Sequence, residues 1–162
     1  MGTKKRLTRR LTTVVVTVIF VCISSASLVA GEIELSKGQT VYVPVYSNVI
    51  AGPREAPVPL SNTLTIRNTD LHNEILVSAA NYYDTKGALI KKFYSQPIKL
   101  APLETKYLYL SDCDEEGGVG ANFVVRWHAA KEVNTPIIEC VMVGSQGRGF
   151  VSSSQVVKED TK

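Results

Sequence analysis

Few residues in this chain are equipped for chemistry. His72 and His128 are its only histidines. A nucleophilic site needs a base beside its nucleophile and a third group that orients the base. His72 lies in the polar run Asp70-Leu-His-Asn73, and His128 alternates outward beside Arg126. No GxSxG elbow or signature cysteine motif accompanies either histidine. Both are expected at the surface, with no catalytic residue, no cofactor and no enzyme activity. The alternative is a hydrolase using His128 with Asp or Glu neighbours.

Asp112, Asp114 and Glu116 place carboxylates at alternate positions ahead of Gly117, which resembles the opening of a calcium loop. The twelfth position is Phe123 instead of a bidentate glutamate, so an EF-hand is excluded. A looser calcium site made by these three acids stands as the candidate, against a solvated acidic loop. The seven tyrosines suggest a second chemistry, apolar stacking of sugar rings with a polar tip to spare. Tyr42, Tyr82, Tyr107 and Tyr109 are the candidate binding residues, with Tyr46 and Tyr94 also able to supply faces. Against this, tyrosine is simply a favoured strand residue. Gly144-Ser-Gln-Gly147-Arg-Gly149 lacks the strand–helix context and lysine of a phosphate loop.

The elements that must position these residues begin after a leader. Five of the 18 basic residues fall in the first ten positions, ahead of an apolar run at residues 14–23 and a small-residue stretch. Basic, apolar and small-residue regions in that order form a secretory signal peptide, here residues 1–31. Cleavage after Ala26, Ser27 or Gly31 fits equally. An uncleaved anchor is the alternative and the only expected membrane contact. Cys22 lies within the apolar run behind Ile19-Phe20-Val21, not after a small residue, so it is not read as a lipid attachment site. From Glu32 onward acidic residues outnumber basic ones by two, which is not the footprint of a nucleic-acid binder. The protein is expected to be exported, periplasmic or secreted, with an envelope protein or glycan as partner.

Without the leader two cysteines remain, Cys113 and Cys140. In an oxidising compartment an even pair is read as a structural disulfide, closing a loop of roughly 27 residues and worth about 3 kcal/mol. The alternative is two free thiols, Cys140 being a small core residue beside Ile138 and Met142.

Residues 32–162 read as a single all-β domain. Val41, Val43 and Val45, then Leu64 and Ile66, then Phe123, Val125 and Trp127, recur at every second position, the period of a half-buried strand. Ile75 to Tyr83 reads as a more central strand, and Asp84-Thr-Lys-Gly87 as a turn into a hairpin partner. Further strands are expected across residues 99–110 and 137–143, with a last edge strand over 150–157. Residues 51–59, which hold three prolines, are expected to form a long irregular connection. Seven or eight strands with Trp127 as an inter-sheet plug suggest an immunoglobulin-like β-sandwich; a small β-barrel is the alternative.

Several stretches carry a resemblance. Thr40-Val-Tyr-Val-Pro-Val-Tyr-Ser47, Leu64-Thr-Ile-Arg-Asn-Thr-Asp70, Tyr82-Tyr-Asp84, Leu100-Ala-Pro-Leu103, Gly117-Gly-Val-Gly-Ala-Asn-Phe123 and Pro136-Ile-Ile-Glu139 resemble the bacterial domain-of-unknown-function family 3124 over about residues 36 to 157. The resemblance implies a small exported β-rich bacterial protein with no assigned activity, and no catalytic residue to carry over. Residues 67–70 and Asn122 are expected to serve turns and strand ends by hydrogen bonding. The whole reads as a non-catalytic binding or accessory module of the cell envelope, with a calcium- or carbohydrate-binding module as the alternative.

Overall fold

The computed structural model describes residues 34–114, 116–145 and 147–158; the expected leader and its candidate cleavage positions lie outside them. Among the described residues eleven strands occur in this order: β1 (Leu35–Pro44), β2 (Asn48–Ala51), β3 (Ala56–Arg67), β4 (Ile75–Tyr83), β5 (Leu89–Lys92), β6 (Ile98–Leu100), β7 (Thr105–Leu110), β8 (Asn122–Asn134), β9 (Ile137–Gly144), β10 (Gly149–Ser152) and β11 (Gln155–Val157). All pairings are antiparallel. One sheet runs β11-β1-β8-β4-β5, with β6 also on β4; the other runs β10-β9-β3-β2, with β7 also on β3. No helix occurs among the described residues.

The period-two pattern decides what each strand buries. On β3, Leu60, Asn62, Leu64 and Ile66 turn inward, and on β8 Phe123, Val125 and Trp127 do the same. Side chains of both sheets share one buried core, which also takes Val41, Val43, Ile75, Val77, Tyr82, Cys140 and Met142. Each large side chain removed from water here contributes roughly 1.5–3 kcal/mol. Phe123 is its aromatic centre, with the Tyr82 ring at 5.1 Å and Phe93 at 5.7 Å.

The continuous apolar run at Ile75 becomes β4 with the expected bounds. The turn after it is built by Asp84, whose Oδ1 accepts the N–H groups of Lys86 and Ala88 at 2.9 and 2.7 Å. Gly87 supplies the left-handed residue, φ 81°, that this turn needs. Three expectations are corrected. The strands number eleven instead of seven or eight, because turns cut several down to three or four residues. The final strand is two strands in different sheets, parted at Ser153 and Ser154.

Residues 51–59 are not an irregular connection but the tight hairpin of β2 and β3, with Ile50 opposite Pro57 and Asn48 opposite Pro59. Gly52 and Glu55 take positive φ to make the turn. β9 pairs with β3 only from Leu60 on, so alternate prolines can direct their missing N–H to an unpaired edge.

Residues 67–70 work as expected, as hydrogen-bonding ties. Asn68, buried, donates through Nδ2 to the carbonyls of Asn73 at 2.8 Å, Ala101 at 2.9 Å and Leu100 at 3.3 Å, while its Oδ1 accepts the Asp70 N–H at 3.0 Å. Asp70 Oδ1 accepts the N–H groups of His72 and Asn73, and Oδ2 that of Asn134. The backbone N–H of His72 is the main reason the Asp70 carboxyl lies below its ordinary pKa; burial opposes it, and Asn134 and Asn73 add to the lowering. A carboxyl with a depressed folded pKa stabilises fully above its unfolded value and loses that contribution as pH falls through the folded one. Urea melts from about pH 6 down to about pH 2 should show stability falling on this limb. Asp70→Asn should lower stability near neutrality and remove that share of the acid dependence; an unchanged acid slope would assign the effect to other carboxylates.

Candidate functional site

Some of the residues singled out by their chemistry, Asp112, Asp114 and Glu116 with Tyr82 and Tyr109, lie around the end of β7, where it runs into the loop before β8. Ser111 starts that loop as a turn: its carbonyl accepts the Asp114 N–H at 3.1 Å and its Oγ the Cys113 N–H at 3.3 Å. The glycines that follow are stitched to two other elements. Gly117 O accepts the N–H and Oγ1–H of Thr85 at 3.0 and 2.9 Å, and Gly118 O accepts the Ser47 N–H at 3.0 Å. The Gly120 N–H donates to Thr85 Oγ1 at 3.0 Å.

Behind this loop the buried hydroxyls of Ser47 and Tyr82 share a 2.8 Å hydrogen bond. Gly117 lies so close to both that a Cβ there would overlap them. Burial drives the Tyr82 phenol well above its ordinary pKa; the Ser47 hydrogen bond opposes this and the neighbouring Asp114 carboxylate adds to it. Tyr82 is therefore a neutral hydroxyl at any physiological pH, suited to holding a neighbour and not to proton abstraction.

Asp114 separates two clefts. One, of about 450 Å³, lies between the edge strands β5 and β7 and is lined by Tyr82, Ile90, Lys91, Tyr109, Leu110, Ser111, Asp114 and Glu116. The other, of about 380 Å³, is lined by Ser47, Asn48, Pro57, Pro59, Asp112 and Asp114. Asp114 Oδ2 is buried without a hydrogen-bond partner. An acceptor left unpaired away from water costs about 1–3 kcal/mol, and the neighbouring Tyr82 hydroxyl is the donor that the Asp114 carboxylate already influences. The Lys91 ammonium lies 4.6 Å over the Phe93 ring.

The structure sorts the predicted residues. Among the described residues no three His, Cys, Asp or Glu side chains are grouped to hold a metal. Asp112 and Glu116 fall into different clefts, because the turn at Ser111 divides the acids instead of converging them. The tyrosines divide too. Tyr107 and Tyr109 project from the same face of β7, 68% and 56% exposed, opposite Thr65 and Thr63 of β3. Tyr82 is 1% exposed and offers no stacking face, and Tyr42 lies on β1 in the other sheet. Both histidines are exposed and line neither cleft. Ser47 carried no sequence signal: a lone serine after an alternating strand resembles any strand end.

The expected Cys113–Cys140 disulfide is not formed in this structure: Cys113 is exposed in the loop and Cys140 is buried on β9, each a free thiol. Burial pushes the Cys140 thiol up to about 12, with the Thr63 backbone opposing slightly, so almost no thiolate exists to react. An aromatic disulfide reagent at about pH 8 should label Cys113 in the native protein and Cys140 only after unfolding. Denatured, unreduced protein with no reactive thiol at either position would establish the bridge instead.

Residues 38–157 match the family model described as "Protein of unknown function (DUF3124)". No curated protein and no solved structure is significantly similar to the chain.

Proposed function

The chain belongs to the DUF3124 family of proteins of unknown function, and on that footing we propose that it is an exported, non-catalytic binding module of the cell envelope, periplasmic or secreted, with a glycan as its ligand. The observation that carries this reading is the cleft between β5 and β7, which the exposed Tyr109 and the carboxylate-bearing Asp114 line together. A sugar ring presents what that pair lacks: a C–H face to lie on Tyr109 and hydroxyl donors for Asp114. Tyr107 extends the aromatic surface along β7, and Thr63 and Thr65 flank it. An immunoglobulin-like sandwich is the arrangement we infer for the two sheets, supported by their common core around the buried Trp127.

The supporting chemistry is that of binding. Tyr82 is held protonated, and no histidine lies in either cleft. The test is thermal unfolding and calorimetric titration against soluble fragments of envelope polysaccharides. A ligand at a hundredfold excess over Kd stabilises by about 2.7 kcal/mol, a readily measured rise in Tm. Tyr109→Ala and Asp114→Asn should each weaken binding about tenfold, equivalent to about 1.4 kcal/mol, whereas Tyr42→Ala should not. Equal binding by all three variants would remove the site from this cleft. Absence of any glycan response would turn attention to an envelope protein pairing with the free edge of β7.

A further inference from the structure

A third cavity, of about 390 Å³, opens between the β2–β3 hairpin and the β9–β10 hairpin. Its chemistry is the reverse of the polar clefts. Val49 and Val58 face each other across the β2–β3 ladder, and with Ala51, Leu60 and Phe150 they form an apolar wall. Phe150 is held by an edge-to-face contact with Tyr46 at 5.8 Å, yet remains 42% exposed. Arg148 is the single charged residue of the lining and no carboxylate accompanies it. It takes part in neither of the ion pairs found among the described residues, which join Arg67 to Glu139 and Lys99 to Glu74.

We propose that this slot binds a single-chain anionic amphiphile, a fatty carboxylate, with its hydrocarbon between Val49, Val58 and Phe150 and its carboxylate on Arg148. Apolar walls favour hydrocarbon over any hydrated group. Arg148, as the one charged residue of the lining, favours an anion, and a guanidinium can engage a carboxylate by a bidentate hydrogen bond. The volume lies at the small end of ligand sites, enough for one chain and not for a folded segment of another protein. A glycan is disfavoured because Val49, Val58, Leu60 and Phe150 offer its hydroxyls no side-chain partner. This inference does not rest on the cleft at Tyr109, and Tyr109→Ala should leave it untouched.

The test is calorimetric titration of the purified protein with decanoate and decyltrimethylammonium below their micelle concentrations and decanol below its solubility limit. Decanoate should bind saturably at one site, decanol more weakly and the trimethylammonium weakest. Arg148→Gln should weaken decanoate about tenfold, the loss of roughly one charge-assisted hydrogen bond, and leave decanol unchanged. Ala51→Trp, at an exposed strand end, should fill the slot and weaken decanoate and decanol alike without lowering Tm. Equal binding of the cationic and anionic chains would overturn the proposal, as would decanoate binding that survives Ala51→Trp. So would failure of decanoate to bind at about 1 mM, the weak end of specific affinities.

Discussion

Replacing Asn68 by alanine is expected to destabilise the domain by about 3 kcal/mol. The side chain satisfies four backbone groups at once: the carbonyls of Asn73, Leu100 and Ala101, and the N–H of Asp70. Asn68 is 2% exposed, so water cannot replace the lost amide in place. Truncation leaves those groups unsatisfied, and it unties the β3–β4 loop from the β6–β7 loop. At roughly 3–4 °C per kcal/mol for a domain of this size, Tm should drop by about 10 °C. Asn68→Asp is the sharper probe. It keeps the shape but turns a donor facing three carbonyls into a negatively charged acceptor, and it should be worse than alanine. A loss below about 1 kcal/mol in urea melts, typical of an exposed polar residue, would show that the loops hold together without this amide.

The second large effect is expected at Gly117. Its missing Cβ is what allows the Ser47–Tyr82 hydroxyl pair to sit against the loop. Tyr82 cannot retreat, because its ring is packed on Phe123 and is 1% exposed. Gly117→Ala should therefore lift the loop or break the hydroxyl pair, costing about 3 kcal/mol from overpacking and a lost hydrogen bond together. Asp114 rides on the same loop, so the clefts should change shape with it. A double-mutant cycle separates this from any backbone cause. Tyr82→Phe removes the hydroxyl the new methyl would meet, and the double variant should be less damaged than the sum of the two. Strict additivity would mean that the new methyl does not act through the Tyr82 hydroxyl.

How far the residues announced their own arrangement can be judged element by element. β4 and its turn were legible because both signals are local: an apolar run ended by Asp84 and Gly87. The β8 alternation was legible for the same reason, a period that needs no knowledge of neighbours. Pro57 and Pro59 misled, since proline is compatible with a strand only when one edge is unpaired, and pairing is a property of the whole sheet. Tyr82 and Tyr109 could not be told apart, for each alternates on a strand and only the layer above decides which is covered. The acidic run was visible as a charge cluster, but the turn at Ser111 that sends Asp112 and Glu116 into different clefts depends on where Ser47 and Thr85 hold the glycines. The likeness to the DUF3124 family held because it rests on an ordered series of motifs rather than on any one of them.

The strand order has a further bearing, on how the molecule comes into being. β1 is the first of the described strands, yet its neighbours are β8 and β11; Val41 stands opposite Val125 on one side and Val156 on the other. The opening strand thus waits for partners that are made late. A chain halted before Asn122 can pair only β2 and β7 with β3, and β5 and β6 with β4, and it lacks Phe123, Val125, Trp127, Val133, Ile138, Cys140 and Met142 of the core. Such non-local pairing makes for slow, all-at-once folding, in which completion of the polypeptide precedes closure of the domain. Shortening the C-terminal end should then do more than fray an edge: it removes the clasp that ties the last strand to the first.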